Sequence, residues 1–247
     1  MSSRQRNLDI VWLALFLLAV WQGLSMLAGS DTLISPIGTM RHLAELLQTE
    51  RFNADMLETL RAIAAAVPGA ILLGVSCGVL LGLHHRSGDV TEPMLVTLYA
   101  LPKVIFYPIV LLICGLGISA RITFGIIHGV FPIILFVMNA IRNIRPVTLR
   151  SARAFHLSNA QTISTIVLPA ALPGIMTGVR VGTSVTLLGV LIGEMFAAKH
   201  GLGFRLMTAI DSHDQASIVA IAVLFSAFAL IINAALLALS RRINRDT

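Results

Sequence analysis

The sequence predicts an all-α membrane protein with six transmembrane helices and cytoplasmic N- and C-termini, and three observations predict it. Hydrophobic residues make up 56% of the 247-residue chain and charged residues 12%, whereas soluble domains carry about a quarter charged. Apolar windows of about 20 residues, the length at which a helix crosses a bilayer, recur six times. Basic residues collect at the ends of those windows on one side, which sets the orientation. The net charge of +6 does not point to nucleic acid, because no basic patch with interleaved aromatics accompanies it.

The first window, Ile10 to Leu27, follows a basic start. Its apolar run exceeds the about 7–15 residues of a signal peptide and no small-x-small cleavage site follows, so it reads as a retained anchor. The segment Ser30 to Thr59 contains the amphipathic stretch Met40-Arg41-His42-Leu43-Ala44-Glu45-Leu46-Leu47, which either lies along the membrane surface or packs on the other spans. The second window, Ala62 to Leu83, carries Gly74, Gly78 and Gly82. Four-residue spacing places these glycines on one face, where a neighbouring backbone can approach closely.

The third window, Met94 to Leu116, holds Pro102, Lys103 and Pro108. Two prolines should unwind it locally, and freed carbonyls are tolerated only beside protein or a water-filled cavity. Lys103 therefore either lines a translocation path with Pro102 and Pro108 or is a satisfied lysine at a structural kink. The fourth window, Ile122 to Ile141, carries Gly125, Gly129 and His128, the histidine reading as a hydrogen-bonded core residue. The fifth, Ile175 to Ala198, has Gly174, Gly178, Gly182, Gly189 and Gly193 in or beside it and is expected to be central. Arg180 near its inner end and Glu194 near its outer end are each expected to reach water; Glu194 is also assigned to the path. The sixth window runs from Ala216 to Leu239.

With the N-terminus inside, the cytoplasmic face collects Arg4, Arg6, Arg86, Arg142, Arg145, Arg150, Arg153, Arg241, Arg242 and Arg245, ten of the 18 Lys and Arg. The opposite face collects Asp31, Glu45, Glu50, Asp55 and Glu58 with Arg41 and Arg51. Cys77 and Cys114 fall inside apolar windows without metal-ligand spacing and are expected to be small buried side chains. No Gly-Lys-Ser/Thr phosphate loop, H-E-x-x-H motif or G-x-S-x-G turn occurs. A serine and histidine paired across spans, as in an intramembrane hydrolase, stays open, and a self-contained secondary transporter is the other alternative.

Between the fourth and fifth windows lies a basic segment, about residues 142–173, reading IRNIRPVTLRSARAFHLSNAQTISTIVLPAALPG from Ile141 to Gly174. Pro146 is placed to open one short helix and Ser158 to cap a second. Leu168-Pro169 and Pro173 are expected to stop the helical run. No linker divides the chain, so residues 1–247 read as a single transmembrane domain.

The stretch from Pro102 to Phe204 resembles the permease subunit of ABC importers, in the branch that carries nitrate, taurine and alkanesulfonates. Pro102-Lys103 through Pro108 looks like that branch's third-span motif, followed by Gly115-Leu116-Gly117-Ile118. Ile141-Arg142-Asn143-Ile144-Arg145-Pro146 matches the run before the family's cytoplasmic coupling loop. Ser151-Ala152, Ser158, Ile166 to Pro173, Gly178-Val179-Arg180, Glu194-Met195 and Gly201-Leu202-Gly203-Phe204 follow in order. Two residues depart from the loop's motif: Arg150 stands where the family has glutamate and His156 where it has glycine.

The resemblance implies a type I ABC importer permease-like fold in a bacterial inner membrane, for a small solute of the sulfonate, taurine or nitrate kind. It implies a second copy of the permease, two ABC ATPase subunits, an external or periplasmic solute-binding protein and surrounding lipid, with no nucleic acid. ATP and Mg would be bound by the partner ATPases, leaving no cofactor, metal or catalytic residue in this chain. Coupling is carried over to Arg150, Ser151, Ala152, Arg153, His156, Ser158, Leu168 and Pro169. Because Arg150 reverses the family's charge, its own ATPase is expected to present an acidic or neutral residue there, so Arg150→Glu should weaken assembly.

Overall fold

The computed structural model describes residues 3–29, 33–145, 147–148 and 157–243, and no strand occurs among them. In chain order the elements are α1 (Ser3–Ala28), α2 (Pro36–Leu47), α3 (Glu50–Leu83), α4 (His85–Ala100), a 3-10 turn (Lys103–Phe106), α5 (Tyr107–Cys114) and α6 (Ile118–Arg142). There follow α7 (Asn159–Thr162), a π-helical stretch (Ile163–Val167), α8 (Leu168–Ala197), α9 (Leu202–Asp211) and α10 (Gln215–Ile243). Among the described residues α3, α6, α10 and the run Ile163–Phe196 are long and apolar enough to cross a membrane. The third window is a pair of helices bent by 88°, and the first is a shorter apolar stretch, Val11–Leu27. All six expected windows are helical, but two of them are not plain spans.

Pro169 and Pro173, ahead of the fifth window, do not stop the helical run, contrary to expectation. Pro169 removes one N–H and crowds the preceding turn, and the chain answers by widening that turn. The Leu168 N–H reaches back to the Ile163 carbonyl, a π-helical bond, so Ile163–Phe196 is one uninterrupted apolar run. Pro173 lies inside α8 without ending it.

The glycine spacing has a direct steric meaning. α6 packs between α3 and α8, and a methyl placed on Gly74 or Gly78 would lie 2.6 Å from Ile133 or 2.7 Å from Val137. Gly174, Gly178 and Gly182 make room in the same way for Ala140, Phe136 and Ile133. Ile133, Val137, Ile141, Val167, Ala171 and Val179 fill the resulting seam. Both α6 and α8 are central to the bundle, where the sequence had singled out the fifth window.

The amphipathic stretch packs inward. Ser35 caps α2 by accepting the Gly38 N–H at 3.2 Å, and Leu43 joins Phe52, Leu202, Ala220, Ile221 and Leu224 in a core cluster. Cys77, expected to be buried, is exposed on this chain, and Cys114 is half-buried. Gly74 and Gly78 take the packed face of α3, which turns Cys77 away from it. α1 is fastened near its C-terminal end, by Trp21 Nε1 donating to Ile34 O at 3.1 Å and Ser25 Oγ to Leu33 O at 2.9 Å.

Candidate functional site

The deepest polar cluster closes one end of the bundle around the start of α9. The first N–H groups of a helix have no partner within it, and here side chains from two other helices accept them. Asp55 Oδ1 takes the Gly201 N–H at 3.1 Å, Thr59 Oγ1 the Leu202 N–H at 2.8 Å and Glu194 Oε2 the Gly203 N–H at 3.0 Å. Asp55 and Thr59, one turn apart on α3, present this edge together, and carboxylates are favoured at a helix N-terminus.

Glu194 is fully buried, at 0% exposure, so it does not reach water as expected. Its carboxylate also accepts the Thr59 hydroxyl at 2.8 Å and Arg121 Nη1 at 3.4 Å. Arg121 donates further to His200 O at 3.1 Å and Gly117 O at 3.3 Å and stands 3.8 Å from Glu58. Arg205 binds Asp55 at 2.5 Å. Gly201 has φ +115° and a side chain there would run into the Glu194 carboxylate, so the turn requires glycine. Beside the cluster a cavity of ≈ 290 Å³ is lined by Leu116, Gly117, Arg121, Ala198, Lys199 and His200.

The third window breaks at Leu101-Pro102. Pro108 does not add a second break; it stands in the first turn of α5, where its missing N–H costs nothing. Lys103 is buried and its ammonium donates to the Tyr99 carbonyl at 2.8 Å, one of those released at the end of α4. The Tyr99 and Phe131 rings lie 4.8 and 5.9 Å from Nζ. Glu194 and Lys103 therefore keep separate partners. Tyr107 links the two regions, its hydroxyl donating to Gly193 O at 2.5 Å and its ring meeting Phe124 edge-on. His128 is buried against Phe124, with Nδ1 2.9 Å from the Phe124 carbonyl, as the core reading expected.

At the other end, Arg142 holds Glu92 at 2.7 Å and Asp89, tying α6 to α4. Ser158 caps α7 in a reciprocal box: its Oγ accepts the Gln161 N–H at 3.3 Å, and the Gln161 side chain accepts the Ser158 N–H at 2.9 Å. Leu168 is exposed and Pro169 half-buried at the π-to-α junction. Arg150, Ser151, Ala152, Arg153 and His156 lie outside the described residues.

Residues 67–245 match the family described as binding-protein-dependent transport system inner membrane component. The chain belongs to that family. It is 27% identical to the taurine transport system permease protein TauC of Escherichia coli (strain K12), over 98% of this chain and 90% of that one. It is 28% identical to a putative aliphatic sulfonates transport permease, SsuC of Bacillus subtilis (strain 168), over 78% and 71%. It is 26% identical to the nitrate import permease NrtB of Synechocystis sp. (strain ATCC 27184 / PCC 6803 / Kazusa), over 79% and 74%. A solved structure of the MetNI methionine ABC transporter, inward facing, shares the fold with TM-score 0.69 and 18% identity, over 78% of this chain and 95% of that one. This is an ABC importer permease of the inner membrane.

One array in the permease has the outline of a hydrolase site. Ser217 Oγ lies 3.0 Å from His42 Nε2, and His42 Nδ1 lies 3.7 Å from Glu45. Ser217, however, serves the start of α10, where Asp214 Oδ1 accepts its N–H at 3.1 Å as the N-terminal cap. The serine that faces His42 is thus part of a helix cap. The Ser217 hydrogen bond is also the main cause holding the Asp214 carboxyl below its ordinary range. No group of three or more His, Cys, Asp or Glu among the described residues is arranged to hold a metal.

Sequence reasoning missed Asp55, Thr59, Arg121 and Arg205, and it missed the partner of Arg180. Arg180 donates from Nε to Asn233 Oδ1 at 3.1 Å, joining α8 to α10. A signal for Arg121 existed: a lone arginine directly before an apolar window, on the side poor in basic residues, calls for a buried carboxylate partner.

Proposed function

We propose that the permease carries a small anionic solute, of the sulfonate, taurine or nitrate kind, as a homodimer driven by two ABC ATPase subunits and supplied by an external solute-binding protein. The reading supposes one transmembrane domain of six spans in surrounding lipid, with both termini cytoplasmic. ATP and Mg are then held by the ATPases, and this chain has no cofactor or catalytic site. The observation that carries it is the uninterrupted run Ile163–Phe196. It starts beside the Ser158 cap, at the end of the coupling segment, and reaches Glu194 in the polar knot at the opposite end of the bundle.

Movement of the coupling segment by closing ATPases thus passes along one helix, with no hinge to absorb it. The glycine seam lets α6 and α8 move as a pair, and the knot carries α3 and α9 with them. The break at Pro102, with Lys103 turned inward, is where a path meets the bundle. The relatives' solutes, named as taurine, aliphatic sulfonates and nitrate, support the anionic class.

Uptake of labelled taurine, methanesulfonate and nitrate into vesicles holding the complete complex tests this. Uptake of one of them that needs both ATP and the binding protein is expected. Uptake by the permease alone, driven by an ion gradient, would contradict it.

A further inference from the structure

We propose that Arg180, Asn233, Thr177 and Ser184 form an anion-binding site inside the membrane, on the path a solute takes through the assembled importer. The inference rests on the importer reading above. Asn233 lies about 12 Å, at ~1.5 Å per residue, inside the basic end of α10 marked by Arg241. The Arg180 guanidinium is held there by its Nε bond to Asn233 Oδ1 at 3.1 Å, so on the six-span reading it lies inside the membrane-crossing parts of α8 and α10.

Arg180 is also uncompensated. The other arginines drawn into the bundle each meet carboxylates: Arg121 meets Glu194 and Glu58, Arg142 meets Asp89 and Glu92, and Arg205 meets Asp55. Among the described residues Arg180 has none, and its Nη groups have no hydrogen-bond partner. It opens on a cavity of ≈ 270 Å³ lined by Thr177, Arg180, Val181, Ser184, Val185 and Asn233, without an acid. A guanidinium facing lipid at this depth is strongly disfavoured, so the face meets either protein or a water-filled path.

A second copy of this chain cannot neutralise it from within its spans. The acids drawn into the bundle, Asp55, Glu58, Glu194, Asp89 and Glu92, are each already engaged, and Asp9 and Glu50 stand near the starts of α1 and α3. The counter-charge must come from a mobile anion. The lining is chemically suited to one. Because the Asn233 oxygen accepts from Arg180, its amide NH₂ is left as a donor on the other branch, beside the donor-only guanidinium. The Thr177 and Ser184 hydroxyls bond the Pro173 and Arg180 carbonyls at 2.9 and 3.1 Å; they are stable unliganded and can turn to an oxyanion. Planar, forked donors match carboxylate, sulfonate and nitrate oxygens.

The test uses the complete complex of permease, ATPase and binding protein in lipid nanodiscs, with Cys77 and Cys114 replaced by serine. Ser184→Cys is exposed to two methanethiosulfonate reagents, one carrying ethylsulfonate and one ethyltrimethylammonium. Their rates are normalised to those with a free thiol in water. The sulfonate reagent is expected to be favoured about tenfold, the size of one nearby, partly screened charge. The preference should vanish in Arg180→Gln and in Asn233→Asp, whose carboxylate lands on the guanidinium, and persist in Arg180→Lys. No labelling by either reagent, or equal labelling indifferent to Arg180→Gln, would overturn the site. Hydrolysis stimulated by the binding protein without charge preference overturns the site and leaves the importer standing. Charge preference without stimulated hydrolysis supports the site and overturns the importer.

Discussion

Glu194 shows how one buried carboxylate orders three helices, since it accepts from Thr59, Gly203 and Arg121 at once. Breaking such a pair from one side leaves a buried charge and costs about 3–5 kcal/mol. Glu194→Leu and Arg121→Met should each lower the unfolding temperature of the complex. The double variant should lose less than the sum, and additive losses would remove Arg121 from the cluster. Asp214 carries a pH prediction. Its carboxyl is held low chiefly by Ser217, so its contribution is present above the unfolded pKa and is lost as pH falls through the folded one. Stability measured from pH 6 downward should decline through the acid range, about pH 4 and below, and Ser217→Ala should flatten that decline. The sequence showed Glu194 but not its partners, because Arg121 lies 73 residues away along the chain. The arginine's place before an apolar window shows that it needs an acid, but a contact of that range leaves no local pattern that says which one.

At the scale of elements, the apolar windows and their glycine faces were legible, since helix periodicity and the absence of side chains are local properties. A bulky residue on the seam should therefore be costly: Gly78→Leu, pressed against Val137, is expected to destabilise by about 1–3 kcal/mol in thermal unfolding. The proline rule failed at Pro169 because a π-turn absorbed the lost hydrogen bond. It held at Pro102, where no such turn formed and the chain bent by 88°. Around Pro169 the neighbouring Val167 and Ala171 belong to the same buried cluster as Ile141 and Ile144, a long-range feature that local sequence does not show. If Ile163–Phe196 is the lever, two glycines inserted after Ala170 should leave basal ATP hydrolysis in place and abolish solute uptake. Retained uptake would show that force travels by another route.

For the whole molecule, composition and charge placement were enough to announce a membrane bundle, and the ordered motifs from Pro102 to Phe204 announced its family. The polar site was less legible, because which charges pair depends on the packing of α3, α6 and α8. Among the described residues, Lys103 and Arg180 are cations held in the bundle with no acid against them, while every acid of the knot is engaged. That asymmetry suits an importer of anions. The most direct measurement is purification of the tagged chain in mild detergent, with identification of what accompanies it and assay of ATP hydrolysis. The account predicts an ATPase subunit in equal number and hydrolysis stimulated by a soluble binding protein. A chain that purifies alone and moves solute without ATP would contradict it.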